Sequence, residues 1–461
     1  MKTNTTMDPD ELRAIGFFHH KTAPSLSSYF DADFWTRLVF QMSYAEPSIR
    51  HAMVALGALH EKRENAVRMI PSLFPDAHSI GEEASSTRVV KRRNSHDEQF
   101  ALNQYNKAIV HLSKRMTADA SIEVALLTCI LFVCVEFLRG DSEPAIKHFM
   151  SGMNIALATL TSEKSRHKKA TVERIREHML PFFNRIELLS MLFGNNASWD
   201  YPVELHDAVP QTFQTMREAR DSVVHLANIS VRFIRYMKYR KYSQFVLPDD
   251  IARQEAILRQ YEKWSDTLDR MLLSDEVTDR DPNAAKTLRI HHVIGACWVR
   301  NSTRAEESSS DRSFEQFESA VALAEAIQSV AGTNPQRKAL DSSTFLFDME
   351  IVSPLYYVAT KCRQPVTRRR ALKILKVTQR REGLWDSDLA SAVAERVMAL
   401  EEANLTAFDG SEVPREEDRI HNVEIVSEAG TNPKTHDLTF YTRPDGPEGP
   451  WHVWSEQMSL P

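Results

Sequence analysis

Apolar side chains recur at three- and four-residue spacing through most of this chain, the pattern of amphipathic helices. Ile49, Ala52, Met53, Leu56 and Leu59 mark one face of a helix over 47–64, opened by Pro47, whose missing N–H costs nothing in a first turn. Residues 66–97 lose the pattern; Pro71, Pro75, Gly81, several serines and Lys91-Arg92-Arg93 read as an exposed loop. Helical spacing resumes over 100–116, 122–138 and 145–160, and the short connections predict antiparallel neighbours packed face to face. A helix over 172–193, interrupted or kinked at Pro181, follows a polar link, and 198–212 reads as a loop. Further helices are predicted over 216–242, 250–272, 284–304, 314–330 and 345–360. Pro365 opens the next, running over 368–382 to Gly383 at the left-handed C′ position, and Asp386 or Ser387 caps another that runs to about 402. From Pro414 the character changes: Ile420, Val423 and Ile425, then Leu438, Phe440 and Tyr441, flank a Gly-Thr-Asn-Pro turn at 430–433 and predict a short hairpin. Trp451 and Trp454 are expected to pack it onto the helices. The expected fold class is therefore all-α, with a flexible N-terminus over 1–16, a helical domain over 17–410 and a tail over 411–461 carrying the hairpin.

Composition narrows the class. With 461 residues, 42% hydrophobic and 26% charged, the chain is globular and long enough for several cores. Thirteen glycines are fewer than half the ~7% average, which disfavours a turn-rich β fold. A net charge of -6 supplies no global attraction for nucleic acid or anionic membrane. Cys129, Cys134, Cys297 and Cys362 sit among apolar residues and read as buried thiols in a reducing compartment. The N-terminus has no apolar signal-peptide core, and the run over 124–135 is too short to span a bilayer.

Common enzyme signatures are missing: no phosphate-binding glycine loop, no G-x-S-x-G, no H-E-x-x-H, no paired C-x-x-C. No catalytic, cofactor-binding or metal-ligating residue is expected, and no cofactor. One enzyme alternative, a magnesium-dependent prenyl-diphosphate enzyme, rests on Asp275 and Asp279, whose i, i+4 spacing can align two carboxylates. Asp281-Pro282 follows at once and no second magnesium cluster exists, so a solvated connector is the stronger reading. The pairs His19-His20 and His291-His292 point ~100° apart on a helix and suit ordinary surface or satisfied histidines better than one metal. Basic clusters occur at Lys91-Arg92-Arg93, 166–169, 238–241 and 368–370. The first two read as solvated loops, with Lys91, Arg92 and Arg93 as the nuclear-import candidate. The last reads as a charged outer face above Ala371, Leu372 and Leu375.

Several stretches together resemble the regulatory region of fungus-specific transcription factors of the binuclear zinc-cluster class. FDADFW at 30–35 and SIRHAMVALGALHE at 48–61 are similar to its opening helices. ALNQYNKAIVHL at 101–112, CILFVCVEFLRGD at 129–141 and AIKHFMSGMNI at 145–155 resemble its central block, and PLYYVATKCRQPVTRRRALKIL at 354–375 with REGLWDS at 381–387 its C-terminal block. The resemblance implies a superhelix-like helical regulatory domain, nuclear location and control of a secondary-metabolite gene cluster. Such factors begin with six cysteines holding two zincs, whereas here no cysteine precedes Cys129. The implied mode is therefore action through other transcription factors or the transcription machinery, with a small-molecule effector, no sequence-specific DNA contact and no membrane. A six-cysteine segment encoded upstream of this sequence is the alternative. Within the resembling blocks, Trp385, Glu136 and His148 read as structural.

Overall fold

The computed structural model describes residues 8–69, 83–118, 121–161, 169–192, 209–243, 246–274, 281–330, 344–409, 411–426 and 435–460. They are mostly helical, ending in a short strand region as expected, and divide into two compact units.

The first unit comprises Met1–Asn195, Gly332–Asp348 and Arg381–Leu384. Its α-helices are α1 (Pro9–Phe17), α2 (Ala23–Ser27), α3 (Val39–Ala45), α4 (Pro47–Met69), α5 (Glu83–Ala118), α6 (Ile122–Arg139), α7 (Ser142–Thr161), α8 (Lys169–Arg174) and α9 (Leu180–Leu192). Helix α6 is apolar all round because it is central: every residue from Val124 to Phe137 is buried, and it packs against both α4 and α7. Gly140 ends it with φ 75°. The Gly140 N–H reaches the Phe137 carbonyl at 3.1 Å and the Asp141 N–H reaches that of Glu136 at 3.0 Å, a Schellman pair that satisfies two orphan carbonyls. Where α7 passes α9, a Cβ on Gly152 would lie 2.5 Å from the Phe183 ring. Strand β1 (Phe345–Leu346) pairs in parallel with β2 (Arg381–Glu382).

The second unit comprises Asn196–Ala331, Met349–Arg380 and Trp385–Pro461. It holds α10 (Met216–Arg240), α11 (Pro248–Leu273), α12 (Pro282–Asn301), α13 (Phe314–Val330), α14 (Val352–Lys361), α15 (Pro365–Thr378) and α16 (Ser387–Glu401), with the short strand β3 (Trp385–Asp386). Ile290, Cys297, Phe317, Val321, Val358, Leu375 and Ala394 share its main apolar core. At the C-terminal end β4 (Asn422–Val426), β5 (Thr435–Thr442) and β6 (His452–Ser459) form an antiparallel sheet in that order. Its inner face sets Leu438 and Phe440 on Val393 and Val397 of α16 and on Ile420.

Several local expectations are corrected. The loop expected over 66–97 is helical from Glu83 onward, because no glycine or proline occurs between Gly81 and Gly140 to stop α5. Pro9–Phe17, expected to be part of a flexible terminus, is a helix with the Asp8 side chain capping Asp10 N. The helix expected over 345–360 starts only at Val352, since Phe345 and Leu346 are drawn into a strand pair. The one opened by Pro365 ends at Thr378 with Gln379 left-handed at φ 44°. Gly383 (φ 57°) serves instead in the turn after β2, where Gly383 N bonds Leu346 O at 2.9 Å. Pro181 produces a π-turn over Ile175–Met179 between α8 and α9, the wider turn absorbing the missing N–H. The expected hairpin gains a third strand, β6. Trp454 stacks on Phe440 there at 5.3 Å.

Candidate functional site

Among the described residues the densest polar assembly lies in the second unit, where α14 and α16 end and α15 begins, near the segment leading into β4. Arg363 and Arg368 are fully buried. Arg363 Nη2 donates to Glu401 Oε1 (2.9 Å), Glu307 Oε2 (3.2 Å) and the Ile420 carbonyl (3.1 Å). Arg368 Nη2 donates to Glu401 Oε2 at 2.8 Å, and its Nε and Nη2 take the Ala359 carbonyl at 3.1 and 3.0 Å, satisfying the end of α14. Glu401 also accepts the Ile420 N–H at 2.9 Å. Lys361 Nζ reaches Glu307 at 2.7 Å and the carbonyls of Ile420 and His421 at 3.2 and 2.9 Å. Glu416 accepts the Glu307 and Ser308 N–H groups at 2.7 Å each, capping the 3-10 turn Glu307–Ser313, and Arg419 forks onto Asp311.

Burial alone would raise the Glu307 carboxyl, but Lys361, Arg363, Lys241 and His421 hold it well below the usual carboxylate range. Burial lowers His421 to about 4, against the pull of Glu307, so its imidazole is neutral at physiological pH. Burial likewise lowers Lys361, opposed by Glu307. The cations are consumed by carboxylates and carbonyls, so the cluster fastens residues 414–421 to the helix ends and offers no reactive group.

In the first unit, Thr22, His60 and Glu64 form a hydroxyl–imidazole–carboxylate line. His60 Nδ1 lies 3.1 Å from Thr22 Oγ1 and His60 Nε2 3.6 Å from Glu64 Oε1. Burial would raise Glu64, yet His60 and the bonds from Thr344 N and Oγ1 bring it down to about 2. The arrangement resembles a nucleophile–base–acid relay, but all three residues are buried and the rings of Phe17 and Phe345 cover His60. It is a core contact. Arg185, likewise buried, bridges Asp31 (2.8 Å) and Asp348 (2.7 Å) with its guanidinium 4.2 Å over Phe182. An open depression of about 540 Å³ lies between Asp8 and α5, with Phe100, Lys107, Val110 and His111 on its walls.

The residues singled out from sequence fall as follows. Lys91, Arg92 and Arg93 lie on the backbone of α5 rather than in a loop, and their side chains lie outside the described residues. Asp275 and Asp279 lie outside the described residues, as do positions 166–168. His291 and His292 bond the carbonyls of Met349 and Tyr261 at 2.9 and 2.8 Å, as satisfied histidines. Of the 238–241 cluster, Lys238 pairs with Glu424, Arg240 with Asp250 and Lys241 with Glu307. The outer-face reading of 368–370 fails for Arg368, which points inward, while Arg369 pairs with Glu402 and Arg370 with Glu318 and Glu325. The four cysteines are buried and free, and burial pushes the Cys129 and Cys362 thiols up to about 12 and about 11. Trp385 packs on Tyr356. His148 Nε2 bonds Tyr105 Oη at 2.7 Å, and Glu136 pairs with Arg139 at 2.6 Å. Sequence reasoning missed the Arg363–Glu401–Arg368 centre; its one signal was two arginines flanking Pro365 opposite the acidic end of α16. Among the described residues no group of three or more His, Cys, Asp or Glu can hold a metal, and no helix is long and apolar enough to cross a membrane.

Residues 14–220 match the fungal specific transcription factor domain. The chain is similar to the aspercryptin biosynthesis cluster-specific transcription regulator atnN of Emericella nidulans, at 22% identity over 483 aligned residues covering 87% of this chain and 74% of that protein. It is also similar to the transcription regulator lscL of Purpureocillium lilacinum, at 25% identity over 121 residues, 26% of this chain and 25% of that one. No solved structure matches the chain.

Proposed function

We propose that this chain acts in the nucleus to control transcription of a secondary-metabolite biosynthetic gene cluster, through other transcription factors or the transcription machinery rather than by its own sequence-specific hold on DNA. The observation that carries this reading is the domain match over 14–220 in a chain of net charge -6. The similarity to a regulator named for a biosynthesis cluster supports the choice of target. DNA affinity rests on Lys and Arg side chains that neutralise phosphates. Here Lys238, Arg240, Arg368, Arg369 and Arg370 each face a carboxylate of their own chain. Lys91, Arg92 and Arg93 are the import signal in this reading, and the depression beside Asp8 is where a small-molecule effector would be sought.

Deletion of the gene followed by transcript profiling tests the proposal. Loss of expression across one contiguous set of biosynthetic genes is expected, and unchanged transcripts under inducing conditions would refute it. Alanine at Lys91, Arg92 and Arg93 is expected to move a fluorescent fusion from nucleus to cytoplasm.

A further inference from the structure

Strand β6 is paired on one side only. All eight residues from His452 to Ser459 pair with β5, from Thr442↔His452 to Thr435↔Ser459, and among the described residues β6 has no second strand neighbour. Alternate residues of an antiparallel strand direct N–H and C=O to opposite sides, so half of the β6 backbone groups face away from β5. Among the described residues, no turn or loop backbone hydrogen bond reaches them.

The other rim of the sheet differs. Strand β4 has five residues, and its Glu424 is engaged by Lys238 and by the Tyr441 hydroxyl. On β6 the side chains of the outer face, Val453, Ser455, Gln457 and Ser459, carry no charge, in a chain where 26% of residues do. No proline interrupts the strand. Its single charge, Glu456, lies on the inner face, neutralised by two bonds of 2.7 Å from Arg396. The lysines and prolines that ordinarily guard an open edge are missing from β6.

We propose that β6 is a self-association edge, pairing antiparallel with β6 of a second copy about Ser455 and joining two three-stranded sheets into one of six. A two-fold axis makes identical strands meet antiparallel. The register about Ser455 sets Trp454 opposite Glu456 of the second copy, extending the bond that Trp454 Nε1 gives Glu456 Oε1 at 3.2 Å within the chain. Val453 then faces Gln457, and the two Glu456 carboxylates stay apart; a slip centred on Glu456 would oppose them. Seven residues of each strand, 452–458, pair in this register, a small contact beside the ~1,200–2,000 Å² of a stable interface, so the dimer is weak and concentration-dependent.

Sedimentation velocity of the full chain across the micromolar range tests this. The mass is expected to rise from 52.7 kDa towards twice that value. The double variant V453K/Q457K, which sets lysine against lysine in this register, is expected to stay monomeric with an unchanged thermal unfolding curve. Mixing it with V453E/Q457E is expected to restore the dimer. On the unaltered chain, hydrogen exchange at alternate amides of 452–459 should slow as concentration rises. A wild-type chain that remains monomeric, a V453K/Q457K variant that dimerises like wild type, or a mixed pair that fails to associate would each overturn the proposal.

Discussion

The two units hold their helices together by different means. In the first, α6 presents fourteen consecutive buried residues to its neighbours, and buried charges sit in small sets such as Arg185 between two aspartates and Glu64 with His60. In the second, an apolar core is supplemented by a continuous ionic network linking Lys241, Glu307, Lys361, Arg363, Arg368, Glu401 and the backbone of Ile420. Apolar burial is non-directional and tolerates repacking. Buried ions tolerate little, because removing one member strands another in a low dielectric. The first unit is therefore fixed by volume, and the attachment of the C-terminal segment in the second by charge geometry.

The sharpest way to break that contrast is Glu401→Ala, which leaves Arg363 and Arg368 buried without their shared carboxylate. A loss of about 3–5 kcal/mol is expected, read as accelerated hydrogen exchange in peptides from 352–421. In the first unit, Leu131→Ala in α6 should cost about 3 kcal/mol through lost burial and a cavity, with exchange changing in α4, α6 and α7. In the second unit acid acts on a single group, His421. The folded value of His421 is about 4 against an ordinary 6.5, so the unfolded chain binds its proton first and stability falls as pH drops from 6.5 to 4. That slope is on the order of 3 kcal/mol, and His421→Asn should flatten it in urea titrations across the window. Gly152→Ala is smaller. Crowding of Phe183 costs ~1–3 kcal/mol, less the ~1 kcal/mol regained by removing a helical glycine, for a drop of about 0–2 kcal/mol in the first unit. Least of all, Arg370→Ala, which breaks part-exposed pairs with Glu318 and Glu325, should cost under ~1 kcal/mol and fade with salt.

Much of the fold was legible where periodicity was strong. The helices at 122–139, 216–240 and 314–330 lie within a few residues of their expected bounds because their apolar stripes and end signals agree. Misreadings arose where tertiary pairing decides. The short apolar run Phe345–Phe347 is indistinguishable from a helix start until Arg381 and Glu382 arrive to pair with it. Serine and arginine content suggested a loop over 83–97, although nothing there breaks a helix. For the site, His291 and His292 were correctly read as satisfied, and the cysteines as buried. Arg368 was misplaced because amphipathic spacing presumes that charge faces water. Its partners, Glu401 and Ala359, come from two other elements that no local pattern announces.

The proposed action through protein partners, without a sequence-specific hold on DNA, leans on the basic clusters at 238–241 and 368–370 facing carboxylates of their own chain. Fluorescence anisotropy of the 461-residue chain against promoter duplexes from the genes that respond to its deletion tests this most directly. Weak binding that fades with salt and ignores promoter sequence is the predicted result. Tight, sequence-selective binding at physiological salt, surviving competition by unrelated DNA, would contradict it.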